Sequence, residues 1–186
     1  MIKVAITGNI ASGKSEVENK IRDLGYLVFD ADNIAHSCLK KNKNIIVSTF
    51  GSEILLNGEI SREKLGDIVF NDKDNLQKLN NIIHPEVIKE ISTLFELYKD
   101  ENYLFVSIPL LFEAKMENMF DRIIFVYAND TIRLERLMKR NNLNKADALK
   151  RINSQQSQTE KITKSDFIIK NEGSLEDLEL QVNKFF

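Results

Sequence analysis

The chain opens with short apolar runs that alternate with segments of helical spacing. Ile2 to Thr7 is apolar and partly β-branched and ends at Gly8, and the apolar residues that follow recur at helical spacing until Gly25. A second apolar run covers Tyr26 to Phe29 and precedes another helical pattern. Because these runs lack polar alternation, they predict strands of a parallel sheet that helices cover on both faces.

From about residue 42 to residue 100, helical patterns follow one another without an obvious buried strand. The longest of them predicts two helices divided at His84-Pro85, since a proline disfavours helical geometry in the residue before it. We therefore expect a mostly helical insertion here. The remaining predicted strands are Tyr103 to Ile108, Arg122 to Tyr127 and Phe167 to Ile169.

Length, charge and cysteine content restrict the class of protein. A chain of 186 residues is long enough for one globular domain with its own core. The 26 basic and 28 acidic residues leave a formal charge of −2, so the composition does not favour binding to nucleic acid or to an anionic membrane. No apolar stretch approaches the roughly 20 residues of a membrane span, no signal peptide is evident, and we expect a cytoplasmic location. The single cysteine, Cys38, is expected to be a packed side chain.

A phosphate-binding loop is the most specific motif. Residues 8–15, GNIASGKS, match the pattern G-x-x-x-x-G-K-[ST] between a predicted strand and a predicted helix. In such a loop, backbone N–H groups surround phosphate oxygens, and the helix N-terminus adds its positive dipole end. Lys14 is expected to neutralise the β- and γ-phosphates, and Ser15 is expected to hold Mg²⁺. The loop therefore predicts binding of a nucleoside triphosphate.

The loop alone does not separate kinases from nucleotide-dependent switches. Residues 144–147, NKAD, resemble the guanine-reading N-K-x-D of a GTPase, but the chain has no D-x-x-G for a γ-phosphate sensor. We expect Asn144 to cap the helix that begins near Ala146 instead. A switch that signals through a partner is kept as an alternative.

Two aspartates follow the second predicted strand, at the edge where open α/β sheets bind ligands. Asp32 is a candidate base that accepts the proton of an acceptor hydroxyl during phosphoryl transfer. The alternative is that Asp32 caps the helix that begins near Asn33. Asp30 is expected to orient water around Mg²⁺ or simply to cap the strand.

Three arginines recur at three- and four-residue spacing and therefore share one helix face. Arg136 and Arg140 are candidate phosphate clamps, and Arg140 precedes a polar turn where a lid can hinge. Arg133 is expected to belong to a solvated surface. The kink at Pro85 is expected to expose His84, which lacks partners at metal-ligand spacing; ordinary helix-end packing is the alternative to a substrate contact.

In their order and spacing, several segments resemble the dephospho-CoA kinase family, whose members phosphorylate a ribose 3′-hydroxyl in the last step of coenzyme A synthesis. The resemblance covers nearly the whole chain. It rests on the phosphate loop, Val28-Phe29-Asp30-Ala31-Asp32 with Ile34-Ala35-His36 after it, Ser61-Arg62 with Leu65 and Phe70, His84-Pro85, Pro109-Leu110-Leu111-Phe112-Glu113, Arg136, Arg140, Arg151-Ile152, Gln155 or Gln156, and Asp166 to Asn171 before Gly173.

The resemblance implies an α/β, three-layer P-loop kinase fold with a five-stranded parallel sheet, a helical substrate-binding insertion and a small helical lid. The implied nucleotide-binding core covers about 1–31, 101–130 and 160–186, the CoA-binding insertion about 32–100 and the lid about 131–159. ATP and dephospho-CoA are the implied small-molecule substrates and Mg²⁺ the implied cofactor, and we expect a monomer or a weak homo-oligomer. Another P-loop kinase that acts on a nucleoside or nucleoside monophosphate is the alternative.

The same resemblance assigns residues to roles. Asp32, Lys14 and Arg140 are implied to be catalytic, and Ser15 is the implied Mg²⁺ ligand. The implied ATP-binding residues are Gly8, Ala11, Ser12, Gly13, Lys14, Ser15, Glu16, Arg136, Arg140 and Asn171. The implied residues for dephospho-CoA are Asp32, Arg62, His84, Pro109, Leu110, Leu111, Phe112 and Glu113.

Two positions of the loop and the residue after it depart from the family pattern, which usually has Gly at the positions of Asn9 and Ala11 and Thr at that of Glu16. Ala11 is expected to cost little, provided that its backbone angle is ordinary. A carboxylate at Glu16 suits the first turn of a helix but not the neighbourhood of phosphates, so its side chain is expected to point away from them.

Overall fold

The computed structural model describes every residue, Met1–Phe186. The chain forms two compact units, the first of residues 1–29 and 98–186 and the second of residues 30–97. No helix has the length and apolar character needed to cross a membrane.

Strands and helices are numbered along the chain. The strands are β1 (Ile2–Gly8), β2 (Val28–Asp30), β3 (Leu55–Leu56), β4 (Glu59–Ile60), β5 (Tyr103–Ser107), β6 (Arg122–Tyr127) and β7 (Phe167–Lys170). The helices are α1 (Lys14–Asp23), α2 (Ala31–Lys41), α3 (Lys43–Phe50), α4 (Arg62–Phe70), α5 (Lys73–Leu97), α6 (Asp130–Asn141), α7 (Lys145–Asn153), α8 (Gln158–Ile162) and α9 (Leu175–Asn183).

The main sheet has the strand order β2-β5-β1-β6-β7. β1 pairs in parallel with β5 on one side and with β6 on the other, and β7 pairs in parallel with β6. The predicted five-stranded parallel sheet is therefore confirmed. Because β1 is the central strand, the phosphate loop, which begins at Gly8, lies between the carboxyl ends of β5 and β6.

The core of the first unit explains why its strands read as continuous apolar runs. Val4 and Ile6 of β1 are fully buried, and they share one cluster with residues of α1 and α9. A second cluster joins Leu137 of α6 to Ala148 and Ile152 of α7. The predicted cap of α7 is confirmed, because the Asn144 side chain accepts a hydrogen bond from the Asp147 N–H at 2.9 Å.

The second unit is mostly helical, as expected, but it differs from the prediction in two places. β3 and β4 form a short antiparallel hairpin where no strand is predicted. The predicted pair of helices divided at His84-Pro85 is wrong, because α5 runs without a break from Lys73 to Leu97. Pro85 removes one backbone hydrogen bond, yet buried side chains lie four residues apart on both sides of it. These are Ile83, Val87, Ile91 and Phe95, and their common packing face keeps the helix continuous.

Candidate active site

The phosphate loop contains two residues in the left-handed backbone region. Gly13 has a φ of 85° and Ala11 a φ of 61°. The condition placed on Ala11 is therefore not met, since a left-handed L-residue costs about 1–2 kcal/mol relative to a right-handed one. The loop tolerates backbone strain at Ala11 in order to make its turn.

Both glycines of the loop are also required by close contacts. A Cβ at Gly8 would lie 2.6 Å from Ser12 Oγ and 2.8 Å from the Val126 carbonyl oxygen. A Cβ at Gly13 would lie 1.9 Å from the side-chain nitrogen of Asn171. The exposed Glu16 carboxylate lies near the same α-carbon, 2.5 Å from that Cβ position. Side chains at either glycine would push the loop away from its neighbours.

Three of the predicted ATP-binding residues meet at the Ser12 carbonyl. Asn171 Nδ2 donates to this oxygen at 3.0 Å, and Arg136 Nη1 donates to it at 3.4 Å. Arg136 Nη2 also donates to Asn171 Oδ1 at 3.5 Å. Arg140 is not part of this group, since its guanidinium is exposed and donates to Asn141 Oδ1 at 2.9 Å.

Arg133 contradicts the expectation of a solvated surface. The residue is only 2% exposed, its Nε donates to the Ile10 carbonyl at 3.0 Å, and its Nη1 pairs with Asp130 at 2.8 Å. Burial lowers the pKa of this guanidinium below its ordinary value. Arg133 lies four residues before the buried Leu137 and therefore on the inward side of α6. This spacing from an apolar residue is the sequence signal for its burial, and the regular spacing of the three arginines draws attention away from it.

Two glutamines beyond α7 connect the same loop to the segment that precedes α8. Gln155 Oε1 accepts a hydrogen bond from the Ile10 N–H at 2.7 Å, and the Gln156 carbonyl accepts one from Asn9 Nδ2 at 2.9 Å. Neither contact is predictable from residue spacing, because the partners lie about 150 residues apart in the sequence. The start of the loop is therefore held by the last part of the predicted lid, which covers about 131–159.

Lys14 is partly buried and forms a polar cluster with the buried residues Glu18 and Ser107. Its Nζ donates to Glu18 Oε1 at 2.6 Å and also to Ser107 Oγ at the end of β5. Ser107 Oγ in turn donates to Glu18 Oε1 at 2.7 Å. Neither Glu18 nor Ser107 is among the site residues predicted from the sequence. The separation of four residues on one helix is the signal that relates Glu18 to Lys14.

The first turn of α1 is open to solvent. Gly13 is its N-cap and provides no side-chain hydrogen bond, so backbone N–H groups at this helix end have no side-chain cap. Ser15 is exposed at the same turn. Such a turn combines N–H donors, a positive dipole end and a hydroxyl group, which suits an anion together with its counter-cation.

The segment after β5 is mostly built into the core. Leu111 is fully buried and Phe112 is 6% exposed, whereas Leu110 is 51% exposed. The Pro109 carbonyl accepts a hydrogen bond from Thr7 Oγ1 at 3.4 Å. Glu113 pairs with the buried Lys161 at 2.6 Å, and its second oxygen is buried without a partner. Leu110 is therefore the member of this predicted substrate segment that is most open to contact.

In the second unit, the cap of α2 is Asp30 and not Asp32. Asp30 Oδ1 accepts hydrogen bonds from the Asp32 N–H at 2.7 Å and from the Asn33 N–H at 3.4 Å. The alternative that Asp32 serves as the helix cap is therefore wrong. Asp32 lies exposed in the first turn of α2, and helix capping does not explain its carboxylate.

Arg62, the first residue of α4, lines a cavity of about 660 Å³ within the second unit. Basic, acidic and apolar side chains share its wall, which therefore suits a ligand with both charged and apolar parts. The lining residues are His36, Leu39, Lys40, Glu59, Ile60 and Arg62.

His84 lies inside α5 and is half-buried, so the expected exposure at a kink is wrong. Burial lowers the pKa of its imidazole below the ordinary value. His84 is therefore mainly neutral at pH 7, when it can both donate and accept a hydrogen bond.

A family model described as dephospho-CoA kinase matches residues 2–177 of the chain. A dephospho-CoA kinase of Listeria innocua is 44% identical over 190 residues, which cover 98% of this chain and 94% of that protein. The dephospho-CoA kinase of Fusobacterium nucleatum is 42% identical over 185 residues, which cover 98% of this chain and 95% of that protein.

Solved structures show the same likeness. A crystal structure of a protein from Thermus thermophilus has a TM-score of 0.89 at 33% identity and covers 99% of this chain and 95% of its own. A dephospho-CoA kinase from Campylobacter jejuni has a TM-score of 0.77 at 35% identity and covers 98% of this chain and 94% of its own. Shikimate kinase from Bacteroides thetaiotaomicron, at 13% identity and a TM-score of 0.55, shares the fold alone.

Proposed function

Because the chain belongs to the dephospho-CoA kinase family, we propose that it transfers a phosphoryl group from ATP to the ribose 3′-hydroxyl of dephospho-CoA, giving coenzyme A and ADP. The chain is a kinase and ATP is its co-substrate, so the resemblance stated from the sequence is confirmed. The observation that carries the proposal is the family match over residues 2–177.

ATP is held by the loop and by two side chains that donate hydrogen bonds to it, those of Arg136 and Asn171. The N–H groups from Ala11 to Ser15 bind the phosphates, and Lys14 neutralises their charge. Arg136 and Asn171 are the proposed side-chain partners of the nucleotide, and their bonds to the Ser12 carbonyl, of 3.4 Å and 3.0 Å, support this assignment because they keep both side chains beside the loop.

Asp32 is the base that accepts the proton of the 3′-hydroxyl. A carboxylate in this role raises the nucleophilicity of the oxygen as it attacks the γ-phosphorus. The role is supported by the place of Asp32, which is an exposed acid in the first turn of α2, directly after β2. Arg140 is exposed in the last turn of α6, and its positive charge stabilises the negative charge of the transferring phosphoryl group when the lid closes.

Mg²⁺ fits the residues that the chain offers. No group of three or more His, Cys, Asp or Glu side chains surrounds a possible metal position, and Mg²⁺ in phosphate sites is typically held by one or two protein ligands, water and the phosphates. The exposed Ser15 hydroxyl beside the uncapped N-terminus of α1 would be the protein ligand. When bound, the ion offsets negative charge on the β- and γ-phosphates.

Dephospho-CoA is held by the helical second unit. The cavity lined by Arg62 provides cations for phosphate groups and the apolar Leu39 and Ile60 for an aliphatic arm. His84 and the segment from Pro109 to Glu113 complete the proposed set, with Leu110 as its exposed apolar member. The proposed division of labour is a nucleotide core of about 1–31, 101–130 and 160–186, an insertion of about 32–100 and a lid of about 131–159.

An acceptor panel tests this function. Purified protein with ATP and Mg²⁺ is assayed for ADP release with dephospho-CoA, nucleosides and nucleoside monophosphates, and the product is identified by mass spectrometry. We expect ADP formation only with dephospho-CoA and one added phosphate on the ribose. Turnover of a nucleoside or monophosphate without turnover of dephospho-CoA would establish the alternative kinase, and acceptor-independent hydrolysis would favour a switch.

A further inference from the structure

We propose that Glu18 is a positioning residue that holds the Lys14 ammonium for phosphoryl transfer, an assignment that rests on the proposed kinase function. The Lys14 and Glu18 side chains are 17% and 7% exposed and lie 2.6 Å apart. Most lysine–carboxylate pairs four residues apart on a helix lie on the surface and contribute little. In this pair Glu18 is instead buried and Lys14 is partly buried, beside the loop that is proposed to receive a triphosphate.

A carboxylate next to such a loop needs an explanation. Negative charge near the phosphates opposes ATP binding, and a buried carboxylate is costly unless it is paired and hydrogen-bonded. Glu18 is fully supplied with partners. Lys14 and Ser107 donate to its Oε1, and Arg22 Nη2 lies 3.5 Å from its Oε2.

The geometry leaves Lys14 one free donor. An ammonium has three N–H groups, and those of Lys14 that are accounted for point to Glu18 Oε1 and to Ser107 Oγ. The remaining N–H is available to a phosphate oxygen. Lysine is a flexible chain whose many rotamers must be restricted before its charge acts at one place. Glu18 and Ser107 impose that restriction from behind.

Glu18 is itself held in place. The Arg22 guanidinium that faces its Oε2 donates to the Val28 carbonyl at 3.3 Å, and Ser107 is fully buried at the end of β5. Through the Glu18 carboxylate, Lys14 is thus connected to Ser107 of β5 and, by way of Arg22, to Val28 at the start of β2. The charge of Lys14 is therefore held beside the sheet that carries the loop.

The test is Glu18→Gln, which keeps the size of the side chain and removes its charge. If Glu18 positions Lys14, we expect kcat to fall about tenfold, because an interaction needed in the transition state is weakened. The KM for ATP should change by less than about threefold, since the loop amides still bind the phosphates. A raised KM at unchanged kcat would show that Glu18 only tunes binding and would overturn the proposal.

Glu179→Gln is the matched control. Glu179 of α9 is the carboxylate partner of Lys20, which lies on α1 like Lys14. The two charged groups are 2.7 Å apart and more exposed than Lys14 and Glu18. We expect wild-type kcat and KM. An equal fall in kcat for both variants would show a general effect of weakening α1 and would also overturn the proposal. If Glu18→Gln does not fold, Ser107→Ala takes its place, with a several-fold lower kcat expected and an unchanged kcat contradicting the role.

A measurement of the ammonium itself separates this inference from the proposed function. In ¹⁵N-lysine-labelled protein, an ammonium bound to a buried carboxylate exchanges slowly with water and gives an Nζ signal, which Lys14→Arg identifies. We expect the Lys14 signal in the wild type and in Glu179→Gln, and its loss in Glu18→Gln. Retention of the signal in Glu18→Gln overturns the inference even if dephospho-CoA is the substrate, while a wild type inactive on dephospho-CoA refutes only the proposed function.

Discussion

At the amino ends of the strands in the main sheet, aromatic rings pack against one another, whereas polar side chains are buried at the carboxyl ends. The rings have centroid separations between 4.3 Å and 6.0 Å, and they belong to Tyr26, Tyr103, Phe105, Phe167, Phe185 and Phe186. The buried polar residues at these ends are Thr7, Asn9, Ser12, Ser107 and Asn171. Of these, Asn9 Oδ1 and Ser12 Oγ are buried without a hydrogen-bond partner.

The difference separates stability from chemistry within one sheet. Ring packing removes apolar surface from water and is stabilising, while buried polar atoms without partners and the left-handed Ala11 are destabilising. Such costs are tolerated where a ligand or a reaction needs them. We therefore expect substitutions among the rings to change stability and substitutions at the carboxyl ends to change activity.

The largest expected effect comes from Phe105→Ala. Phe105 is fully buried and contacts the rings of Tyr26, Phe185 and Phe186, so we expect the free energy of unfolding to fall by about 3–5 kcal/mol. Urea denaturation measures the loss. At a temperature where the variant stays folded, kcat should remain within about threefold of the wild type. A large fall in kcat of the folded variant would abolish the separation between the two ends.

Phe186→Ala serves as the comparison for Phe105→Ala, because Phe186 belongs to the same group of rings but is 42% exposed. The fall in the free energy of unfolding should be clearly smaller for Phe186→Ala than for Phe105→Ala. If Phe105→Ala is too unstable to purify, Phe105→Leu keeps most of the apolar volume and should still lower the midpoint of denaturation.

Asp32→Asn has the second largest expected effect. Removal of the base should lower kcat by about 10² or more, which corresponds to roughly 2.7 kcal/mol of transition-state stabilisation. ATP binding, measured by calorimetry, and the melting temperature should stay near wild-type values. Asp74→Asn is the control, since Asp74 is also an exposed acid in the first turn of a helix in the second unit. Wild-type turnover in Asp32→Asn would remove Asp32 from the mechanism.

Ala11→Gly has the smallest expected effect and tests the cost of the strained loop directly. Glycine adopts a φ of 61° without penalty, but it also makes the unfolded chain more flexible, so the net gain in stability should be below about 1 kcal/mol. Ala146→Gly, at an exposed position in α7, should instead destabilise by about 0.5–1 kcal/mol. Thermal denaturation of both variants compares the two signs, and equal destabilisation would contradict strain at Ala11.

The sequence allowed the sheet to be predicted because its strands are short apolar runs with clear ends. β6 has the predicted bounds, Arg122 to Tyr127, and β5 ends one residue before the predicted end. The phosphate loop was equally clear, because its residue types and its place between strand and helix agree. Local sequence patterns are sufficient where each residue's environment depends on its near neighbours.

The errors concern residues whose environment depends on distant parts of the chain. A solvated arginine and the buried Arg133 fit the same spacing of arginines, and the bond of Arg133 to the Ile10 carbonyl, more than 100 residues away in the sequence, cannot be read from that spacing. Pro85 weakens a helix locally, but the packing of Ile83 and Val87 outweighs it. The Lys14–Glu18–Ser107 cluster needs β5, which follows more than 80 residues later, to be recognised. The assignment of ATP and substrate contacts residue by residue remains a prediction.

The loop of residues 8–15 is fastened from several directions by the protein's own side chains, namely Arg133, Gln155, Arg136 and Asn171. It therefore gives up its conformational entropy during folding, at about 1–2 kcal/mol per residue. An arriving triphosphate does not have to supply that ordering free energy, which is the benefit of a preorganised receptor. The rate of nucleotide association should then be governed by diffusion and ionic strength, and not by closure of the loop.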